Sequence, residues 1–177
     1  MSSLAVSTFI DYETPEERKK RIDAVFDSFD SDHNGTIDKN EFINGMSVFC
    51  NMHNLRSRET YMKFFETIFN MCDSTTFLWF FTIKDGVISR EEFTRIANAM
   101  PNPMSKDIIE NIGKMMFNII DKDHSGAIDK KEMKEFLKYS PFTKQKLGEF
   151  MLSLDDNGDG QIQLDEFMKW FRQLDDN

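Results

Sequence analysis

Asp30, Asp32, Asn34, Thr36, Asp38 and Glu41 occupy the first, third, fifth, seventh, ninth and twelfth places of one twelve-residue stretch, with Gly35 at the sixth. Every candidate ligand is an oxygen, and four carry a charge. Such a set suits a hard cation, and Ca²⁺ takes six to eight oxygens at about 2.3–2.6 Å in a flexible cage. Asp30, Asp32 and Asn34 would supply side-chain oxygens and Thr36 its backbone carbonyl. Asp38 would act directly or through a water, and Glu41 would close the cage with both carboxylate oxygens. A bidentate closing glutamate favours Ca²⁺ over Mg²⁺, which competes for the same oxygens but demands a smaller octahedral shell. Gly35 can take the positive φ of the sharp turn between the two halves. An acidic, solvated turn is the plain alternative, but it does not account for six positions at once or for their recurrence.

The pattern returns twice. Asp121, Asp123, Ser125, Ala127, Asp129 and Glu132 repeat it with a serine hydroxyl at the fifth place, Ala127 contributing its carbonyl. Asp155, Asn157, Asp159, Gln161 and Glu166 repeat it again, with Gln161 through its carbonyl and Gln163 at the ninth place acting through a water. A fourth copy survives only in its second half, from Asp85 on: Gly86, Ile88, Ser89 and Glu92 stand where glycine, strand residue, ninth ligand and closing glutamate belong. At normal length this loop would open at Phe81, which cannot bind an ion. Ile68, Phe69 and Cys72 precede Asp73 by the offsets found before the other loops. That spacing predicts an entering helix over 58–72, a loop opened at Asp73 and an insertion over 75–82, whose apolar run Phe77-Leu78-Trp79-Phe80-Phe81 folds back over the core. Half of this cage is lost, so about three ions are expected.

The flanking segments read as the helices that must position these loops. Thr14-Pro15-Glu16-Glu17 is a helix start: Thr14 can cap, Pro15 suits the first turn, and Glu17 completes a capping box. Ile22, Val25, Phe26 and Phe29 then follow at helical spacing to Asp30. Ile37, Ile88, Ile128 and Ile162 share the eighth loop place. Pro101 and Pro103 break any continuous helix between the halves, which favours lobes folded against each other. Pro141 marks a second turn and a helix start. The domains expected are a lead-in over 1–13, an N-terminal pair over 14–98, a linker over 99–105 and a C-terminal pair over 106–177.

The chain has 177 residues, a formal charge of −9, 40% apolar residues and 18 phenylalanines. That length and composition suffice for a packed interior. The acid balance and the lack of a basic run speak against nucleic acid. No apolar run approaches a membrane span, and Met1-Ser2-Ser3-Leu4 reads neither as a signal peptide nor as a myristoylation start. Cys50 and Cys72 sit in no metal or redox spacing, which points to a reducing, cytoplasmic setting. No nucleophile–base pair, phosphate loop or zinc spacing appears, so no enzyme is expected.

With three matching loops and one damaged loop, the chain resembles the calmodulin superfamily of four-EF-hand proteins. Its site pattern is similar to sarcoplasmic calcium-binding proteins and to calcium-triggered photoproteins with their luciferin-binding relatives. The resemblance implies an all-α, compact monomer of two EF-hand pairs, loop one back to back with loop two and loop three with loop four, each pair joined by a short strand pair. A Ca²⁺ sensor that exposes a groove for an amphipathic target helix is expected first, given 12 methionines including Met46, Met133 and Met168. A closed buffer is the alternative. The second alternative is a luciferin-type ligand carrier using Trp79, Trp170, Tyr139 and His53. In any of these, mutual repulsion of the loop carboxylates is relieved by the ion. Folding stability therefore rises with Ca²⁺, by about 3–4 kcal/mol per site at a hundred- to thousandfold excess over Kd. A chelator-insensitive thermal melt would contradict this.

Overall fold

The capping box at the start of the chain's first helix is present. Thr14 Oγ1 accepts from Glu17 N at 3.2 Å, and Glu17 Oε2 accepts from Thr14 N at 2.9 Å. It opens α1 (Pro15–Phe29), which turns Ile22, Phe26 and Phe29 inward. The helices that follow are α2 (Lys39–Phe49), α3 (Arg58–Cys72), α4 (Arg90–Ala99), α5 (Ile108–Ile120), α6 (Lys130–Tyr139), α7 (Leu147–Leu154) and α8 (Leu164–Asp176). The structure, a computed structural model, describes residues 14–49, 58–73, 75–77, 81–100, 106–142 and 144–176, with backbone alone for 75–77, 81–83 and 175–176. The expected lead-in over 1–13, Cys50, His53, Trp79 and linker positions 101–105 lie outside the described residues.

The isoleucines at the eighth loop place do what their shared position predicts. β1 (Ile37–Asp38) pairs antiparallel with β4 (Val87–Ile88), placing Ile37 opposite Ile88. β5 (Ala127–Ile128) pairs with β6 (Ile162–Gln163), placing Ile128 opposite Ile162. All four isoleucines are buried. Loops one and two thus stand back to back, as do loops three and four, and the all-α arrangement of paired helix–loop–helix units follows.

One local expectation gains a backbone and another changes; the packing of the Phe77–Phe81 side chains lies outside the described residues. The insertion in the second loop has a backbone of its own: β2 (Thr75–Phe77) and β3 (Phe81–Ile83) form an antiparallel hairpin with Thr75 opposite Ile83. Thr-Thr-Phe and Phe-Thr-Ile are β-branched and aromatic, a strand signal that the apolar run obscured. Pro141 does not start a helix. It lies in a turn, and α7 begins at Leu147. Phe142 instead stacks its ring on Phe150 at 5.7 Å.

The two halves share one core because α3 is apolar on two sides. Tyr61, Phe64, Phe65, Ile68, Phe69 and Cys72 are all buried along it. Toward the first half, Phe69 meets Phe42 at 5.8 Å, and the cluster continues through Phe29 and Phe93 to Phe26. Toward the second half, Phe64 lies 5.3 Å from Phe171, 6.1 Å from Phe142 and 6.3 Å from Trp170, while Tyr61 lies 5.8 Å from Phe171. Polar ties follow the same seam. Thr67 Oγ1 donates to Tyr139 O at 3.2 Å, and Asn118 Nδ2 donates to Ala99 O at 2.8 Å. Lys84 Nζ donates to Asn70 O and sits 3.9 Å over the Tyr139 ring. Met46 and Met133 are fully buried core filling, and Met168 packs against Gly113.

Two helical glycines permit close approach. A Cβ on Gly45 would meet three ring atoms of buried Phe29 at 2.4–2.6 Å, and one on Gly113 would meet Met168 Sδ at 2.5 Å. Alanine gains about 1 kcal/mol of helix propensity, but overpacking costs about 1–3 kcal/mol. Gly45→Ala should therefore lower stability in urea unfolding by up to about 2 kcal/mol. Gly113→Ala should lower it less, because the Met168 thioether can rotate away.

Candidate metal centres

Each cage is built where an entering helix stops and an exiting helix starts. In loop one, α1 delivers Asp30, which is only 3% exposed. Its Oδ1 accepts from Asn34 N at 3.0 Å and its Oδ2 from Gly35 N at 2.9 Å. From the other side α2 delivers Glu41. Its Oε2 accepts from Asp38 N at 2.9 Å and its Oε1 from Ser31 N at 2.8 Å. Asp30, Asp32 and Glu41 are thereby brought together, each with a carboxylate oxygen within 4.8 Å of the others. Asn34 Oδ1 accepts from Thr36 N at 2.9 Å, which turns the chain so that the seventh residue follows. Asp38 is turned toward the helix: its Oδ1 accepts from Glu41 N at 2.8 Å and so serves as a cap.

Loop three repeats this arrangement. Asp121 accepts from Ser125 N and Gly126 N, both at 3.0 Å. Glu132 Oε1 accepts from Lys122 N at 2.8 Å, and Asp129 caps α6 through Glu132 N at 2.8 Å. Asp121, Asp123 and Glu132 converge within the same 4.8 Å. Ser125 Oγ donates to Ala127 O at 2.9 Å, which places the fifth and seventh candidates side by side. The fourth place in both loops is left-handed, His33 and His124 each at φ 57°. Both histidines are exposed.

In loop four, Asp155 Oδ2 accepts from Gly160 N at 2.9 Å and Glu166 Oε1 from Asp156 N at 2.9 Å. Gln161 N donates to Asp159 Oδ1 at 2.9 Å. Gln163 bridges its neighbours: its Nε2 donates to Asp159 Oδ2 at 2.8 Å, and its Oε1 accepts from Asn157 Nδ2 at 2.9 Å. The three-carboxylate convergence is found, among the described residues, in loops one and three.

The second loop supplies the positions that the ligand pattern did not include. α3 ends at Cys72 and hands over to Asp73, as the predicted register requires. Asp73 Oδ1 accepts from Asp85 N at 3.3 Å, the bond that Asn34 and Ser125 make to Asp30 and Asp121. Gly86 has φ 83°, and Glu92 Oε2 accepts from Ser89 N at 2.9 Å. The hairpin therefore replaces the second to fourth places, and the frame closes around it without a third-place carboxylate. The signal that marks Asp73 as the equivalent of Asp30 and Asp121 lies in the helix offsets before each loop.

Charge states follow from these donors. Burial pushes the Glu41 carboxyl up, but the Asp38, Ser31 and Asp32 donors outweigh it and hold it below its ordinary value. Asp123 is held low by the Ser125 hydroxyl and N–H, and Asp159 by the Gln161 N–H against some burial. Asp73 is the exception: burial drives it above the ordinary carboxylate value. Ionised carboxylates converging in a small volume form a cation site, and their donor set is hard oxygen throughout.

Comparison with known proteins agrees. The EF-hand domain pair family matches residues 110–172 and the EF hand domain matches residues 21–49. The rice (Oryza sativa subsp. japonica) protein CML13, described as a probable calcium-binding protein, is 30% identical over 161 residues, covering 89% of this chain and 83% of that protein. The chain belongs to the EF-hand calcium-binding proteins of the calmodulin superfamily. The 16 kDa calcium-binding protein of Schistosoma mansoni is 29% identical over 160 residues, covering 88% of this chain and 96% of that protein. EF-hands one, three and four are thus those whose ligand pattern is intact, and EF-hand two is the one the hairpin interrupts.

Two variants probe this geometry in chelator. Gly126 has φ 88°, and a Cβ added there would meet nothing within 4 Å. Gly126→Ala should therefore cost about 1–2 kcal/mol from backbone strain alone. Asp73→Asn should stabilise the calcium-free chain at pH 7. A carboxyl whose pKa is raised on folding lowers stability as pH rises from its unfolded value through its folded one. The gain over wild type should therefore shrink as the pH is lowered toward the unfolded value of about 3.9. Parallel pH–stability curves for the two proteins would contradict it.

Proposed function

We propose that this EF-hand protein is a cytoplasmic Ca²⁺ buffer that loads about three ions, at EF-hands one, three and four, and keeps its helices closed. The observation that carries this reading is the place of Phe64. Its ring lies among Phe142, Trp170 and Phe171, so the apolar face of the C-terminal pair is already covered by α3 of the same chain. A sensor that offers a groove to a target helix would first have to move α3 away. That would expose Tyr61, Phe64 and Phe171, at about 25 cal/mol per Å² of apolar surface. The buried positions of Met46 and Met133 favour the same reading. Trp170, a candidate wall for a luciferin-type ligand, is engaged with Phe150 and Phe167 at 5.4 Å each.

The strand pairs add a statement about coupling. EF-hands three and four are joined by β5 and β6 between two intact cages. EF-hand one is joined through β1 and β4 to the interrupted one. Calorimetric Ca²⁺ titration of the full chain with a dye for exposed apolar surface tests the whole reading. About three ions are expected, with no gain in dye binding. Glu132→Gln should weaken the site of Glu166 and the reverse, while Glu41→Gln leaves both unchanged. Strong dye binding on loading would establish a sensor, and equal coupling of all three sites would refute the pairing argument.

A further inference from the structure

A cavity of about 610 Å³ opens where the two halves meet, between the C-terminal ends of α3, α4 and α5 and the start of EF-hand three. Its size falls within the 300–1,000 Å³ of small-molecule sites. Arg95 of α4 and Lys122 and His124 of EF-hand three line it together with Met71, Ala99 and Ile119, and its described lining includes no acid. That is unexpected in a chain with 31 acidic residues against 22 lysines and arginines.

We propose that this cavity binds a small amphipathic anion: an acid headgroup held by Arg95 and Lys122, with an apolar body laid against Met71 and Ile119. The charges acting on buried Cys72, at the cavity wall, point the same way. Arg95, Lys122 and Lys84 oppose the carboxylate of Glu92 there, although burial dominates and pushes the thiol up to about 12. Helix C-termini are partly negative and would repel an anion. Here the α4 end is neutralised in part, since Ala99 O accepts from Asn118 Nδ2 at 2.8 Å. The cationic side chains stand at the rim, within reach of a ligand. Lys122 and Arg95 are 47% and 54% exposed, and each has an acidic neighbour, Glu135 at 2.7 Å and Glu92 at 3.8 Å. Such an arrangement holds the cation near the cavity, and an anion within would compete for it. A guanidinium can grip a carboxylate or phosphate with two parallel donors, which makes Arg95 the principal anchor. Lys122 and His124 belong to the loop of EF-hand three and Met71 to α3, so the site adjoins that cage and rests on the closed reading, which the dye titration tests separately.

The test is calorimetric titration of the calcium-loaded full chain with 1-naphthoate, 1-naphthyl phosphate and neutral 1-naphthol. One acid should bind at a single site about tenfold more tightly than naphthol, and the tighter of the two acids identifies the headgroup. Arg95→Gln and Lys122→Gln should each weaken that acid by about three- to tenfold, the range for partly screened charge-assisted bonds. Arg95→Lys should recover part of the loss. With methyl-labelled methionine, the Met71 resonance should shift on binding. Both Gln variants replace exposed side chains, and unchanged melting temperatures will show that they are folded. Absence of binding by both acids, equal binding of naphthol, acid affinity indifferent to both variants, or a Met71 resonance that does not move would each overturn the proposal.

Discussion

The structure depends on one helix being buried on two sides. α3 carries Phe69 into the rings of the first half and Phe64 and Tyr61 into those of the second. A helix with a single apolar stripe would have left two separate lobes, each with a face to cover. Because α3 serves both, Phe26 at one end of the molecule and Phe150 at the other belong to one continuous core. The cages then sit at the rim of a single body, and each ion acts on a shared interior.

EF-hand two offers no carboxylate at its third place, yet the fold needs it. Its Ile88 completes the strand pair with Ile37, its Asp73 keeps the bond from the fifth-place N–H, and its Glu92 keeps the bond from the ninth-place N–H. The hairpin removes a ligand position but leaves both ends of the frame intact. Lys84, directly after the hairpin, reaches Asn70 and the Tyr139 ring across the seam. The interrupted loop thus contributes to joining the halves. Burial raises the Asp73 carboxyl against the Asp85 and Gly86 N–H donors, which sets a cost on that frame in the calcium-free state.

Much of this could be read from residue spacing. The converging carboxylates of loops one and three, the α3 limits, the register at Asp73 and the isoleucine pairings all follow from twelve-residue offsets and helical periodicity, which are local. Three features could not be read this way. The hairpin is hidden because Phe77–Phe81 is apolar throughout and shows no alternation. The start of α7 is ambiguous in the sequence because Pro141 suits a turn as well as a first helical residue. Finally, the partner of Phe64 is a matter of tertiary packing: the spacing of apolar residues along α3 does not show that Phe171 and Trp170 meet it.

The central claim is that α3 stays between the halves when the sites are filled. Hydrogen exchange of the α3 amides from Tyr61 to Met71 in the calcium-loaded chain measures this directly. These amides should exchange as slowly as the core amides of α5 and α8, opening only with global unfolding. Fast exchange across α3 while α5 and α8 remain protected would show that the halves part on loading and would contradict the claim.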